Sequence, residues 1–324
     1  MIGAIQFEQF GGPEVLHYTQ VDVRDPEPGE ARIAHTAIGL NFIDAYYRTG
    51  LYPLALPSGL GSEAAGVVIA VGADVLDVRP GDRVAYTCPP PLGAYSQERV
   101  IDARWLVRLP AEIGDDAAAA MMLKGLTAWY LLKRSYAVVP GDWILLYAAA
   151  GGVGSIAAQW ARHLGARVIG VVGTPEKQQL AVANGCEHAL LADQDIAARV
   201  RELTGGAGVP VVYDSVGRDT FLQSLDCLAT HGVMVSFGNS SGKVEPFGLQ
   251  ELTKRGSLYV TRPTLFDFIR ARDDLAAGSA ELFELVKTGV VRIAVNQRYA
   301  LRDAASAHRD LQARRTTGST VLIP

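Results

Sequence analysis

Cysteine is scarce. Cys88, Cys186 and Cys227 are three in 324 residues, odd in number and far apart. That excludes a disulfide framework and the closely spaced quartet of a structural zinc site, and it fits a reducing, cytoplasmic compartment. An excess of charge of one sign is also missing. A net charge of −4 with 20% charged residues offers no basic field to nucleic acid or an anionic membrane, so neither is expected as a main partner. No run of about 18 apolar residues occurs. The opening Met1-Ile2-Gly3-Ala4-Ile5-Gln6 lacks the charged start and long apolar stretch of a secretory leader. Repeats, linkers and low-complexity segments are absent too. What is present is 49% hydrophobic residues, ample for burial, in a length that exceeds what one core serves. Two lobes are expected.

The first 125 or so residues read as short strands broken by turns. Ala31–Ala37 and Ala65–Val71 are β-prone, while Pro26-Glu27-Pro28-Gly29 and Arg79-Pro80-Gly81-Asp82 are turn clusters. This part predicts an irregular, barrel-like β lobe. Near Asp116 the texture changes. Asp116–Leu132 predicts a helix that Asp115 or Asp116 can cap, and strand then alternates with helix. Strands are expected at Trp143–Ala148, Ala166–Val172, Val209–Tyr213 and Gly232–Phe237. Helices are expected at Gly154–Leu164, at Glu176–Asn184 with Gly185 ending it, and at Thr220–Leu228. Nearly continuous apolar strands in such alternation imply a parallel sheet covered on both faces. Ser257–Thr261 predicts an edge strand of that sheet. From about Phe266 the chain predicts helices at Ala280–Thr288 and Ala304–Arg314 and a strand at Ser319–Ile323, a tail that returns to the first lobe.

The strongest local signal is Leu145-Leu146-Tyr147-Ala148-Ala149-Ala150-Gly151-Gly152-Val153-Gly154, placed after a strand and opening a helix. Gly151 lets the backbone approach a pyrophosphate, Gly154 lets the helix pack on the strand, and the helix N-terminus offers unpaired N–H groups. Ala149 replaces the first glycine of the strict G-x-G-x-x-G pattern. A ligand-free βα turn is the alternative, and the strand–turn–helix context selects the dinucleotide loop. An NAD site needs a carboxylate about 20 residues further on. Here the second strand ends Val171-Val172-Gly173 with no acid, followed by the cap Thr174, Pro175 at the first helical position, then Glu176 and Lys177. A cation in the first turn opposes the helix dipole. A bound 2′-phosphate reverses that, so NADPH is expected over NADH, with a solvated surface lysine as the alternative.

With these residues, the chain resembles the zeta-crystallin-like quinone oxidoreductases, a zinc-free branch of the medium-chain dehydrogenase/reductase superfamily. The resemblance rests on Gly141-Asp142-x-x-Leu145-x-x-x-Ala149-Ala150-Gly151-Gly152-x-Gly154-x-x-x-x-Gln159-x-x-Arg162. It extends to Gly39–Asp44, Gly59–Gly66, Tyr213–Gly217 and Ser236–Gly242, so that it spans essentially the whole chain. It implies an α/β fold: a Rossmann doubly wound parallel sheet (126–265) plus a GroES-like β-rich catalytic lobe (1–125, with 266–324 returning to it). It further implies that Asn41, Asp44, Tyr46 and Tyr52 line the nicotinamide site as catalytic candidates. Thr127 and Tyr130 approach the cofactor, Gly151, Gly152 and Val153 hold the pyrophosphate, and Gly173 and Lys177 hold the adenosine phosphate. Val216, Phe237 and Thr264 pack around the nicotinamide end, and Arg314 closes over it. Ala192 stands where bacterial members place a tyrosine on the 2′-phosphate, which implies a weaker NADPH preference. The Ser257–Thr261 edge resembles a dimer seam, so a homodimer is expected, against an ordinary covered edge.

Related alcohol dehydrogenases carry a cysteine and a Gly-His-Glu for catalytic zinc. The aligned positions fall near Asn41 and at Gly61-Ser62-Glu63, and His17, His35, His163, His188, His231 and His308 show no ligand spacing. No metal is expected. Such a site does not readily polarise a plain ketone. Quinones and conjugated enones spread the incoming charge onto oxygen, and the protein then mainly orients the nicotinamide against the acceptor. NADPH-dependent quinone reduction, by hydride or single-electron transfer, is the expected function. An alkenal/enone double-bond reductase on the same scaffold is the alternative, and a non-catalytic NADPH-binding protein a third. Tyr46, Tyr52 or Asp44 is a proton source in this reading, although Asp44 equally reads as a turn or helix cap. Gly238-Asn239-Ser240-Ser241-Gly242 matches the hydrolase pattern G-x-S-x-G, with Asp267 and His308 in triad order. Lys243-Val244-Glu245-Pro246 follows instead of the helix that an elbow requires, which argues against it.

Overall fold

The β-prone runs and turns of the first part form antiparallel sheets. In the computed structural model, which describes Met1–Pro324, β1 (Ile2–Phe7) pairs with β2 (His17–Val21). β3 (Glu30–Leu40) is longer than the predicted run. Ala31, Ile33, His35 and Ala37 are buried alternately, the period of a half-buried strand, and burial is then continuous to Leu40. Helix α1 (Phe42–Arg48) follows at once. β4 (Ser58–Gly59) returns to β1, and β5 (Glu63–Val71) lies antiparallel to β3. β6 (Arg83–Thr87) continues beyond β5. β7 (Glu98–Asp102) pairs with β3, and β8 (Val107–Arg108) with β6.

Helix α2 (Asp115–Tyr130) starts one residue before the predicted span and has Asp115 and Asp116 in its first turn. It does not continue as α-helix to Leu132; Leu131–Ser135 winds as a π-helical turn. The Leu131 carbonyl accepts the Tyr213 hydroxyl at 3.0 Å, a bond made outside the helix ladder.

The expected alternation is then observed. The elements in order are β9 (Trp143–Tyr147), α3 (Gly152–His163), β10 (Arg167–Val172), α4 (Pro175–Ala183), β11 (His188–Leu191) and α5 (Ile196–Leu203). They are followed by β12 (Val209–Asp214), α6 (Phe221–Asp226), β13 (Leu228–Ser236), α7 (Gln250–Lys254), β14 (Tyr259–Thr261) and α8 (Leu265–Phe268). The strands run parallel in the order β11-β10-β9-β12-β13-β14, a doubly wound sheet whose order reverses between β9 and β12. Leu145, Ile169, Val212, Leu225 and Met234 lie in its core. β11 and α5 escaped prediction because one has four residues and the other buries only Ile196 and Val200. β14 is shorter than Ser257–Thr261: Ser257 adopts φ +56, a turn conformation, and the strand starts two residues later.

Helix α9 (Arg272–Lys287) begins eight residues before the predicted Ala280, since its buried face includes the small residues Gly278 and Ser279, which carry no helical signal. β15 (Val295–Ala300), α10 (Ala304–Gln312) and β16 (Ser319–Ile323) follow, with β16 inserted between β15 and β3. Two compact units result. One comprises Met1–Leu126, Ile269–Lys287 and Ile293–Pro324, the other Thr127–Phe268 and Thr288–Arg292. No helix is long and apolar enough to cross a membrane.

Candidate functional site

In the second unit, β9 delivers the chain to the point where strand order reverses. Ala148 turns it with φ +53, and the Gly151 N–H donates to the Ala148 carbonyl at 2.8 Å. Gly151 is the N-cap of α3 and no side chain caps that end. A Cβ on Gly154 would stand 2.2 Å from the Ala148 carbonyl oxygen, and one on Gly151 3.1 Å from it. Helix and strand therefore meet at a distance only glycine permits, and the first-turn N–H groups of Gly152, Val153 and Gly154 have no side-chain acceptor. Such an end suits a pyrophosphate. Ala149, the departure from the glycine pattern, is buried, and space for it comes from Gly170 of β10, where a Cβ would lie 2.8 Å from the Ala149 methyl.

Gly173 follows the end of β10, and a Cβ on it would find open space. Thr174 caps α4 by accepting the Lys177 N–H at 3.4 Å, so Lys177 sits half-buried in the first turn. The Ala192 N–H donates to the Val172 carbonyl at 2.9 Å, which puts Ala192 beside the end of β10.

Val216 and Phe237 are tied to one buried residue that sequence reasoning missed, Asp214, the first through its carboxylate and the second through its backbone carbonyl. Asp214 accepts from the Val216 N–H (2.7 Å), the Gly217 N–H (3.1 Å), Thr220 Oγ1 (2.7 Å) and Ser224 Oγ (2.8 Å). Its carbonyl accepts the Phe237 N–H at 2.8 Å. The signal was available, since an acid ending an apolar strand must find donors. Thr127 is buried on α2, Tyr130 stacks on Phe268 with centroids 4.6 Å apart, and Thr264 is exposed before α8. The G-x-S-x-G stretch is packing: a Cβ on Gly238 would stand 2.2 Å from the Ser215 carbonyl oxygen, and no helix follows before Gln250.

In the first unit Asn41, Asp44, Tyr46 and Tyr52 come together around α1. Asn41 is its N-cap, and its backbone N–H donates to Asp44 Oδ2 at 2.8 Å, so the cap reading of Asp44 holds. Burial pushes the Asp44 carboxyl up to about 7, against the opposing effect of the Asn41 N–H and the Tyr95 hydroxyl. The Tyr46 and Tyr52 rings meet edge to face at 5.2 Å. The Asn41 amide donates to Glu63 Oε2 at 2.7 Å. Glu63 also accepts the Leu123 N–H at 2.9 Å and faces Lys124 Nζ at 3.4 Å. Lys124 was missed although a lysine inside an apolar helix is itself a signal. Arg314 lies on an exposed turn after α10 with φ +58.

This donor set does not fit zinc. Asn41 turns its amide nitrogen to Glu63, Ser62 is a poor ligand, and the Glu63 charge is taken by Lys124. No group of three or more His, Cys, Asp or Glu side chains is assembled anywhere. His308 is buried with its two ring nitrogens against Arg48 and Tyr95, so it offers no triad base.

Residues 27–111 match the family of alcohol dehydrogenase GroES-like domains, and residues 152–279 that of zinc-binding dehydrogenases. A quinone oxidoreductase of Pseudomonas aeruginosa is 53% identical, with all of both chains covered. The 2-haloacrylate reductase of a Burkholderia species is 46% identical over all of this chain and 99% of its own. The crystal structure of Escherichia coli quinone oxidoreductase complexed with NADPH superposes with a TM-score of 0.98 at 50% identity, covering 99% of this chain and 100% of that one. Full-length identity at this level, on a doubly wound sheet with its glycine turn at the switch point, places the chain in one family. It belongs to the zeta-crystallin-like quinone oxidoreductases of the medium-chain dehydrogenase/reductase superfamily.

Proposed function

We propose that the protein reduces quinones with NADPH and without a metal. The observation that carries this reading is the glycine turn, where Gly154 allows α3 to meet the Ala148 carbonyl and leaves the helix end uncapped for a pyrophosphate. The relatives support it: a close structural neighbour was crystallised with NADPH, and full-length relatives are quinone oxidoreductases. When bound, NADPH supplies the reducing equivalents, delivered as hydride from its nicotinamide ring or as single electrons.

The chain's own residues bind and orient. Gly151, Gly152 and Val153 hold the pyrophosphate, and Gly173 with Lys177 takes the 2′-phosphate. Thr127, Tyr130, Val216, Phe237 and Thr264 shape the nicotinamide end, and Arg314 is a further cofactor-binding residue. Asn41, Tyr46 and Tyr52 face the acceptor, and Asp44, buried behind them, is the proton source through water, since a carboxyl raised to about 7 is half-charged near neutrality. Following the loss of NADPH absorbance with and without benzoquinone tests the reading. Acceptor-independent rates would reduce the protein to a cofactor-binding one.

A second reading, reduction of electron-poor double bonds, is favoured by the relative that is a 2-haloacrylate reductase. A panel of enones and haloacrylates beside quinones separates the two by kcat/KM. The protein works as a cytoplasmic homodimer in this proposal. Three free, buried cysteines suit a reducing compartment, and β14 forms an edge on which Tyr259 is 62% exposed. Sedimentation at micromolar concentration showing only monomer would remove the dimer.

A further inference from the structure

Four side chains of the first unit form one buried hydrogen-bonded line. Arg48, His308, Tyr95 and Asp44 are each 0% exposed. Arg48 Nη1 lies 3.1 Å from His308 Nδ1, His308 Nε2 lies 3.1 Å from Tyr95 Oη, and Tyr95 Oη lies 3.0 Å from Asp44 Oδ2.

The direction of every hydrogen is set from the arginine end. A guanidinium has only donors and stays charged. Nδ1 of His308 must therefore present its lone pair, which leaves the ring neutral with its hydrogen on Nε2. Burial, reinforced by the Arg48 charge, pushes His308 down to about 3, in keeping with this form. Nε2–H donates to Tyr95 Oη, and the Tyr95 hydrogen then has one acceptor left, Asp44 Oδ2. The Asn41 backbone N–H reaches the same oxygen at 2.8 Å. Two donors thus converge on Oδ2, while the equally buried Oδ1 has no partner.

We propose that Arg48, His308 and Tyr95 are positioning residues that confine the exchangeable proton of Asp44 to Oδ1, making that oxygen the proton-delivering atom of the reductase. The inference rests on the reading of Asp44 as proton source. After the acceptor has gained hydride it is an anion. The Oδ1–H bond breaks heterolytically, its electron pair stays on Oδ1, and, because Oδ1 is buried, the proton passes through water to form an O–H bond on the acceptor. The carboxylate left behind is met by the two donors already aimed at Oδ2, and water reloads Oδ1. The other groups facing Asp44 are Lys124, which favours the carboxylate, Glu63, which disfavours it, and the neutral phenol of Tyr47.

Isotope-edited infrared spectroscopy of the NADPH-loaded protein across pH tests this. A carboxylic C=O band titrating near neutrality is expected, and it should be missing in Asp44→Asn. In Tyr95→Phe the carbonyl Oδ2 loses a donor, so the band should move to higher frequency. Its midpoint should rise by about one unit, the worth of one hydrogen bond to a charged acceptor. The alkaline limb of kcat should shift equally. His308→Leu should move the midpoint the same way by less, because Tyr95 keeps its bond to Asp44 and loses only the donor that orients it, whereas His308→Gln should restore the wild-type midpoint, because its amide accepts from Arg48 and donates to Tyr95. An unmoved band and midpoint in Tyr95→Phe, or equal shifts in the leucine and glutamine variants, overturns the proposal. Wild-type turnover and pH profile in Asp44→Asn would instead overturn the proton-source reading, with the infrared result still deciding where the proton sits.

Discussion

Ala149, in the turn after β9, and Gly170 of β10 are complementary: the methyl of one occupies the space that the missing side chain of the other leaves, 2.8 Å from where a Cβ would be. Gly170→Ala should therefore overpack the sheet and cost about 1–3 kcal/mol in urea or thermal unfolding. The pair Ala149→Gly with Gly170→Ala should recover part of this. Recovery is incomplete because Cys186 Sγ also stands 2.8 Å from the new methyl. Additive losses in the double variant would contradict the complementarity.

Lys177 is the cation in the first turn of α4 beside the open space at Gly173. Lys177→Ala should weaken NADPH by about 10- to 100-fold, the range of a hydrogen bond to a charged group, and leave NADH nearly unchanged. Ala192→Tyr should tighten NADPH. Fluorescence titration with both cofactors reads the ratio, and parallel losses for the two would remove Lys177 from the phosphate.

Asp214 gathers four donors on its two oxygens. Asp214→Ala should destabilise the second unit by about 3–5 kcal/mol, because the buried donors lose their acceptor. In Asp214→Asn the loop carrying Val216 should loosen, with KM for NADPH raised more than kcat is lowered. An unchanged KM would detach this carboxylate from the cofactor.

The buried Asp44 also makes stability depend on pH. Its folded value is raised from 3.8 to about 7. Its contribution is therefore fully present below the unfolded value and is lost as pH rises through about 7. Asp44→Asn should gain on the wild type as pH rises from about 4 to about 7, and the difference should be flat above that. His308 acts oppositely, since its folded value falls from 6.5 to about 3 and stability is lost as pH drops through that window. Chemical denaturation at several pH values measures both slopes, and a difference for Asp44→Asn that is flat over the whole range would count against the raised value.

The alternation of apolar strands with amphipathic helices made the doubly wound sheet legible, because buried parallel strands and a glycine turn both leave local signals. Ser319–Ile323 was read to the residue. The misses are short or weakly patterned: β11 has four residues, α5 buries only Ile196 and Val200, and the first half of α9 buries Leu275 beside the small Gly278 and Ser279. At the candidate site, Asn41 and Asp44 stand in the motif Gly39–Asp44, and Asp214 in Tyr213–Gly217. Lys124, Tyr95 and Arg48 matter through partners that only folding brings near. Asp44 shows both sides: its two readings, cap and proton carrier, are not separable by residue type, and the geometry divides them, with Oδ2 in the cap and Oδ1 left without a partner.

β16 fills the place beside β3, with Thr320 opposite Leu40. The two strands are separated by nearly the whole chain, and their pairing closes a very long loop. A ribosome that has finished the parallel sheet has therefore made most of the second unit while β3 still waits for its neighbour. His308 arrives with the same late segment, so Tyr95 and Asp44 acquire their ordered hydrogens only in the final moments of assembly. Folding intermediates should accordingly capture nucleotide before they can turn over an acceptor.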